Sequence, residues 1–129
     1  MYSSLVHIAK KSSIFLLIFF SFSFISVDDI VLAIKKGDAT QVSRFFDNTV
    51  EITLPEKSYS YSKSQAELVL RDFFLSNMVK DFEVIHKGEN AGSQFCIGTL
   101  YTKNGNYRTT LFLKQKGERQ LLQELRFEK

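Results

Sequence analysis

The sequence is poor in the residues that interrupt or cross-link a fold. Its 129 residues include one proline, one cysteine, six glycines and no tryptophan. A single cysteine excludes an intramolecular disulfide and a zinc site built from cysteines, and so little proline and glycine excludes a low-complexity linker. Because 44% of the residues are hydrophobic, the chain is not disordered and is expected to form one small domain with a single core.

The chain also lacks a large excess of charge. Its 17 basic and 14 acidic residues give a formal net charge of +3. Lys10 and Lys11 lie in a leader that we expect to be removed, which leaves 15 basic against 14 acidic residues. Charges so nearly balanced and so evenly spread give no electrostatic case for a nucleic-acid partner.

Residues 1–23 have the three parts of a signal peptide. Lys10 and Lys11 supply the positively charged start, and residues 14–20 form an apolar run. Small serines at positions −3 and −1 predict cleavage after Ser23. The leader therefore predicts a periplasmic or secreted protein.

An uncleaved membrane anchor is the alternative interpretation of this leader. The longest uncharged stretch, residues 12–27, spans roughly 24 Å as a helix, whereas the hydrocarbon core of a bilayer is about 30 Å thick. Asp28 follows the stretch directly and limits its length. We therefore expect the mature domain, residues 28–129, to have no stable membrane span after cleavage.

Apolar residues at helical spacing predict three helices in the mature chain. The first begins at Asp28 or Asp29 and ends before Gly37, a residue type that suits the position after a helix. The second begins after Asp38 and is predicted to include Phe46. Both helices are short and need a sheet to cover.

The third helix has the strongest sequence signal. Ser62 and Ser64 each precede a Gln or Glu by three residues, so they begin two overlapping capping boxes. Apolar residues then recur at spacings of three and four: Ala66, Val69, Leu70, Phe73 and Phe74. Asn77 lies near the predicted end of this helix.

The other segments have the patterns of β-strands. Residues 49–54 alternate polar and apolar side chains, and Tyr59 and Tyr61 alternate with serines in a short strand or extended turn. Later strands are predicted over residues 82–86, 95–102, 107–114 and 121–127. Gly88 is predicted to end the first of these later strands, and the pair Asn104–Gly105 is predicted to form a two-residue hairpin turn.

The element order favours an α+β fold. We expect one curved antiparallel sheet with three helices packed on its concave face, preceded by the signal peptide. Such an arrangement encloses a cone-shaped space. That space is either an open pocket or a core filled by phenylalanines, of which the mature chain has many.

Five short motifs together resemble a known family: Tyr61–Glu67, Phe73–Phe74, Ile97–Leu100, Asn106–Arg108 and Leu125–Glu128. With the element order, they resemble the family called domain of unknown function 4783. That family looks like a secreted branch of the nuclear transport factor 2-like superfamily, whose fold is a cystatin-like α+β cone. The resemblance implies an extracytoplasmic location in Bacteroidetes-type bacteria. It implies no established activity, so it assigns no catalytic residue.

The wider superfamily includes ketosteroid isomerases and dehydratases beside non-catalytic binding modules, so its fold does not decide function. For the isomerases, the resemblance implies a general-base aspartate directly after a Val-Glu pair. Here Val50 and Glu51 are followed by Ile52, which cannot carry a proton. A second departure is Met78, where the resemblance leads us to expect a proline after Asn77.

The candidate ligand-binding residues are Tyr59, Tyr61, His86, Tyr101 and Arg108. These tyrosines, together with Tyr107, can line a pocket and offer hydroxyls to a ligand; the alternative is strand packing with the hydroxyl at the rim. His86 can act as a general acid or base near neutral pH, or simply face solvent at a strand end. Arg108 can join Arg126 in binding a carboxylate or phosphate; the alternative is an ion pair with Glu124 or Glu128.

Other reactive side chains have structural explanations. Cys96 can be a nucleophile only beside a base such as His86, and is otherwise a small buried apolar residue. Asp47 and Glu51 can form an acid–base pair, and are otherwise a solvated cap and an outward strand residue. The sequence contains no metal-ligand spacing and no phosphate-binding loop, so we expect neither a metal nor a cofactor.

The sequence favours binding over catalysis. We expect a non-catalytic domain that binds a small apolar ligand or a protein partner, because aromatic residues are abundant and no acid–base set is evident. One alternative is a small lyase or isomerase that uses His86 and a pocket tyrosine. Another is a structural homodimer, or a subunit of an envelope complex, that docks through the exposed face of the sheet.

Overall fold

The computed structural model describes residues 27–129; the predicted signal peptide and its cleavage site at Ser23 lie outside the described residues. This part of the chain contains three helices: α1 (Val27–Lys35), α2 (Ala39–Ser43) and α3 (Lys63–Ser76). None of the helices in this part is long and apolar enough to span a membrane.

Six strands form one curved sheet in the described part, so the chain is α+β as predicted. The strands are β1 (Phe46–Leu54), β2 (Lys57–Ser62), β3 (Val79–Asn90), β4 (Ser93–Thr102), β5 (Gly105–Lys116) and β6 (Arg119–Glu128). Their order across the sheet is β2-β1-β6-β5-β4-β3. β2 and β3 are therefore the two edge strands.

One pair of strands corrects the prediction of a purely antiparallel sheet. β1 and β6 run parallel, with Ile52 opposite Leu125, while the other neighbouring pairs are antiparallel. Strand patterns in the sequence do not reveal which strands become neighbours. The sheet is mixed because β1 lies beside a strand from the far end of the chain.

Capping residues set the ends of the helices. Asp38 Oδ1 accepts a hydrogen bond from the Gln41 N–H at 3.1 Å, and Ser62 Oγ accepts one from the Gln65 N–H at 3.3 Å. Gly37 follows α1 with a φ of 65°, in the left-handed region that glycine adopts readily. These predicted start and stop signals are confirmed.

The second helix is shorter than predicted. α2 ends at Ser43, and Phe46 begins β1 instead of continuing the helix. Phe46 is buried and lies opposite Leu122 of β6. The prediction was wrong here because pairing with a distant strand outweighs local helical spacing.

Two predicted turns are also corrected. Gly88 lies inside β3, opposite Phe95 of β4, instead of ending the strand. The β4–β5 turn consists of Lys103 and Asn104, one residue earlier than predicted. Gly105, with a φ of 110°, is the first residue of β5.

The helices and one face of the sheet share a single core. In β4, every second residue from Cys96 to Thr102 is buried, and the other strands contribute from the same face. Buried apolar side chains come from every described helix and from five of the six strands, and β2 contributes the half-buried Tyr61. Large side chains such as Phe46, Phe127 and Ile30 are almost fully buried, and each stabilises the fold by about 1.5–3 kcal/mol.

Candidate functional site

A cleft of about 630 Å³ lies where the C-terminal half of α3 faces the β1–β2 turn and the beginning of β5. We call it the α3 cleft. Its buried lining residues include Phe73, Asn77 and Tyr107. Its exposed lining residues include Lys57, Asp72 and Lys129. The cleft therefore has an aromatic and polar floor and a charged mouth.

A buried hydrogen bond joins the two polar residues of the floor. The Tyr107 hydroxyl donates to Asn77 Oδ1 at 2.8 Å, and Asn77 Nδ2 donates to the Phe73 carbonyl at 3.0 Å. Asn77 and Tyr107 are only 8% and 6% exposed. Buried polar groups require such partners, so this pair fixes the end of α3 against β5.

Aromatic rings fill the interior behind the cleft. Phe73 stacks on Phe127 with ring centroids 4.3 Å apart, and it meets the Tyr107 ring edge-on at 5.1 Å. Phe74 also contacts Phe127, at 6.3 Å. These rings occupy the interior. A ligand at this end of the fold can therefore enter the cleft but not the centre of the core.

Lys129 lies over the mouth of the cleft. Its Nζ is 4.6 Å from the centroid of the Tyr107 ring and donates a hydrogen bond to the Asn104 carbonyl at 3.1 Å. A cation over a ring face is favourable. The ammonium is thus held where an anionic group of a ligand can reach it.

The lining of the cleft suits binding better than acid–base chemistry. Lys57 and Asp72 form no ion pair within the part of the chain that the structure describes. Neither a histidine nor a cysteine is among the residues that line the cleft. The site can offer hydrogen bonds, two charges of each sign and an aromatic wall.

Two of the predicted site residues lie together outside the α3 cleft. Tyr59 and Tyr61 are on β2, with ring centroids 6.2 Å apart. Tyr59 is exposed, whereas Tyr61 is half-buried against the core. They border a different groove, beside the N-terminal half of α3.

The other three predicted site residues lie on the outward face of the sheet. His86 is opposite Ile97, Tyr101 follows the buried Leu100, and Arg108 follows the buried Tyr107. Because side chains alternate along a strand, they point away from the core. The structure thus separates them from Tyr59 and Tyr61, which lie on β2, and a shared ligand site for all five remains only a prediction.

The two reactive side chains that could form a nucleophilic pair lie on opposite faces. Cys96 is fully buried and opposite Lys87, whereas the exposed His86 pairs with the next residue of β4. Burial raises the pKa of the Cys96 thiol above its ordinary value. A protonated, buried thiol is a poor nucleophile.

The charged candidates form structural contacts. Arg126 Nε lies 3.5 Å from Glu124 Oε1 and 3.7 Å from Glu128 Oε1, which is the ion-pair alternative given above. Asp47 is buried, whereas Glu51 is exposed, so the two carboxylates do not share an environment. Within residues 27–129, no group of three or more His, Cys, Asp and Glu side chains could hold a metal ion.

Sequence reasoning missed Asn77 and Lys129 as lining residues. Asn77 was identified only as the end of the third helix, although a buried polar side chain at a helix C-terminus commonly has a tertiary partner. Tyr107 is among the tyrosines expected to line a pocket, and it does line the α3 cleft. Nothing in the local sequence indicates that Tyr107 and Asn77 meet.

Comparison with known proteins agrees with this fold. The family model described as Domain of unknown function (DUF4783) matches residues 27–128. A DUF4783 family protein from Bacteroides fragilis is 36% identical, with a TM-score of 0.77, over 82% of this chain and 99% of that chain. One from Bacteroides ovatus is 32% identical, with a TM-score of 0.78, over 81% of this chain and 94% of that chain. No curated protein matches the sequence.

A more distant structure shows the wider fold. An NTF2-like protein of unknown function from Cytophaga hutchinsonii is 8% identical, with a TM-score of 0.57, over 78% of this chain and 83% of that chain. At that identity the likeness concerns the fold alone. The chain therefore belongs to the DUF4783 family and has the nuclear transport factor 2-like fold.

Proposed function

We propose that this protein is a non-catalytic binding domain that holds a small, mostly apolar ligand in the α3 cleft. The observation that carries the proposal is the floor of the cleft, where the hydrogen-bonded pair Asn77 and Tyr107 lies beside the Phe73 ring. Small-molecule sites typically combine an apolar wall with a few convergent polar groups. In this proposal the helices occupy the concave face of the sheet, and the cleft is the open end of the cone.

The charges at the mouth favour a ligand with an apolar body and one anionic end. Lys57 and Lys129 both line the cleft. Lys129 is already oriented over Tyr107, so little side-chain entropy is lost when it meets an anion. Asp72 and Glu56, which also line the cleft, disfavour a ligand with several negative charges.

Anilinonaphthalene sulfonate, which has apolar rings and one sulfonate, is a suitable probe of the cleft. We expect saturable fluorescence enhancement with the unaltered protein. Ser76→Phe should weaken probe binding about tenfold, because Ser76 lines the cleft and a phenyl ring there occupies its volume. Fluorescence titration measures the dissociation constants of the probe for the unaltered protein and for Ser76→Phe.

Ser64→Phe is the matched control for this experiment. Ser64 is an exposed serine on the same helix, at its other end. The Ser64→Phe substitution should change the dissociation constant of the probe less than twofold. Equal binding by the Ser76→Phe and unaltered proteins, at equal thermal stability, would show that the probe does not use the α3 cleft and would contradict the proposal.

A partner protein, or a second copy, on the outward face of the sheet is the second candidate. Phe95 and Phe112 lie opposite each other on that face and are only half-buried. Exposed aromatic patches commonly mark interaction surfaces. Size-exclusion chromatography with light scattering tests this candidate: a dimer that Phe112→Asp converts to a monomer supports it.

The proposed location is outside the cytoplasm. The signal-like pattern of residues 1–23 supports export and cleavage after Ser23. Mass spectrometry of the protein from the periplasm or medium of its host should give an N-terminus at Phe24. An intact N-terminus in the membrane fraction would favour the uncleaved anchor instead.

A further inference from the structure

A second groove lies beside β2, and Val69 separates it from the α3 cleft because Val69 lines both. We call it the β2 groove. Its volume is about 430 Å³, and it is lined by Tyr59, Ser60, Tyr61, Gln65, Leu68 and Val69. Tyr59 and Leu68 are 59% and 55% exposed. An apolar surface therefore reaches solvent between an edge strand and a helix.

The backbone of β2 is available along this groove. β2 has β1 on one side and no described strand on the other. Leu54 and Lys57 flank a two-residue turn, so they form a hydrogen-bonded pair, and every second residue from Lys57 also bonds to β1. The intervening residues, Ser58 and Ser60, direct their N–H and C=O groups outward.

The other edge of the sheet differs from β2. β3 pairs with β4 through two register irregularities, which disfavour the addition of a further strand. Ion pairs also connect it to α1, between Lys35 and Asp81 at 3.4 Å and between Lys87 and Asp28 at 2.6 Å. The register of β2 with β1 is regular, and no ion pair to a described helix is found along β2. The β2 edge therefore lacks both features that protect β3.

Two lysines stand at the ends of the exposed edge. Lys57 begins β2, and Lys63 follows its last residue. Both are exposed, and neither forms an ion pair with another described residue. An extended segment along this edge therefore meets a lysine at each of its ends, with the exposed Glu56 in the turn beside Lys57.

We propose that the β2 groove binds an extended acidic peptide segment of a partner protein, which adds to the sheet as a further strand. Its backbone pairs with the outward N–H and C=O groups of Ser58 and Ser60. Alternate side chains contact Tyr59 and Leu68, since β-addition takes affinity from main-chain bonds and specificity from side-chain pockets. Acidic side chains at its ends meet the two lysines.

Charge argues against a second copy of this chain as the occupant. Two β2 strands related by a two-fold axis pair antiparallel, and because β2 contains Lys57 and no acidic residue, the added strand supplies no carboxylate to either lysine. One register that matches the outward groups sets Ser60 opposite Ser60. That register places Lys57 opposite Lys63 of the other copy, twice. Like charges directly opposite each other destabilise a strand pair.

The first test uses a blocked eight-residue peptide of alternating valine and glutamate. We expect it to shift the amide resonances of β2 and of the N-terminal half of α3. Ser60→Pro should weaken binding about tenfold, because it removes an outward N–H that β1 does not use and proline is tolerated at such edge positions. Ser60→Ala keeps the N–H and should lose less than twofold.

The second test does not depend on the folding of a proline variant. Lys63→Glu places an acid in the first turn of α3, where it stabilises the helix. It should nevertheless weaken peptide binding about fivefold by repulsion. Lys114→Glu, at an exposed position of β5, is the matched control and should leave affinity within twofold.

A third comparison uses two exposed leucines of the same helix. Leu68→Ala should weaken binding about fivefold, whereas Leu75→Ala should not, because Leu75 lies outside the β2 groove. Ser76→Phe, which fills the α3 cleft, should leave peptide binding unchanged. The two proposed sites can therefore fail independently.

Three results would overturn the proposal. One is the absence of amide shifts in β2 at millimolar peptide. Another is equal affinity for a peptide in which lysine replaces glutamate, since charge would then not select the occupant. The last is the finding that the unaltered protein is a dimer and that Ser60→Pro dissociates it. A second copy, and not a partner peptide, would then occupy the β2 edge.

Discussion

At the scale of single residues, Asp47 is a buried carboxylate that stays ionised. The Lys116 ammonium lies 2.7 Å from its Oδ2, and Gln123 Nε2 donates to the same atom at 3.0 Å. The hydrogen bond from Lys116, then that from Gln123, lowers the pKa of Asp47 from 3.8 to about 2. The contacts tie the beginning of β1 to β5 and β6.

This pKa predicts a loss of stability in acid. A carboxyl whose pKa is lower in the folded than in the unfolded state stabilises the fold above pH 4 and loses that effect as the pH falls toward 2. The loss should be about 1–2 kcal/mol, since the half-exposed Lys116 is screened by water. Urea unfolding between pH 2 and 6 measures it.

Asp47→Asn is the control for this pH dependence. The variant should be less stable at pH 6, and its stability should fall less steeply between pH 4 and 2. Parallel pH profiles for Asp47→Asn and the unaltered protein would contradict the assignment of the acid transition to Asp47.

The buried Tyr107 hydroxyl predicts a second residue-scale effect. Tyr107→Phe removes the donor at 2.8 Å and leaves Asn77 Oδ1 with only a long contact, 3.5 Å, to Asn104 Nδ2. A buried acceptor without a good partner costs about 1–3 kcal/mol. Denaturant unfolding should show this loss for Tyr107→Phe. It should show almost none for Tyr101→Phe, a half-buried tyrosine on the outward face.

At the scale of elements, two glycines show how closely neighbouring strands approach. A β-carbon at Gly98 would lie 2.6 Å from the Glu83 carbonyl oxygen and 2.7 Å from the Phe82 ring. A β-carbon at Gly88 would overlap the Phe95 ring. The first obstacle includes backbone, whereas the second is a half-buried side chain that can move.

These contacts predict which of two glycine-to-alanine variants loses more stability. Both Gly98→Ala and Gly88→Ala should be destabilising, and Gly98→Ala should cost more, about 3 kcal/mol or above. Combining Gly88→Ala with Phe95→Ala should recover part of the Gly88→Ala loss, because the obstacle is then absent. Thermal unfolding of the four proteins gives the comparison; a larger loss for Gly88→Ala would contradict it.

Elements whose signals are local could be predicted from the sequence. α3 follows from the Ser62 cap and from apolar residues at spacings of three and four, and both are found. Of the two overlapping boxes, the Ser62 bond is present. Glu67 of the second box instead accepts a hydrogen bond from Ser43 and pairs with Arg71, so tertiary contacts decided its role.

Features that depend on distant partners could not be predicted. Phe46 fits a helix until its pairing with β6 is known, and Gly88 resembles a turn residue until Phe95 is placed over it. The α3 cleft has the same origin, because Asn77 and Tyr107 become neighbours only when α3 packs on β5. Local sequence patterns contain no information on such contacts between residues that are distant in the sequence.

At the scale of the whole molecule, the sheet order predicts a gradient of protection. β5 lies between β4 and β6 and is bonded on both sides, so its amides should exchange with solvent only on global unfolding. The outward amides of β2, at Ser58 and Ser60, should exchange fastest among the strands. Hydrogen–deuterium exchange followed by NMR tests this order, and equal protection of β2 and β5 would contradict it.

The parallel pairing of β1 with β6 has a consequence for how the molecule is made. β1 is the first of the described strands, yet one of its two neighbours is β6, the last of them. A nascent chain that emerges from a ribosome, or passes through a translocation pore, cannot bury β1 on both sides until its C-terminal segment is delivered. Assembly of the sheet must wait until β6 has emerged, and a truncation that removes Arg119–Glu128 deprives β1 of a neighbour as well as deleting β6 itself.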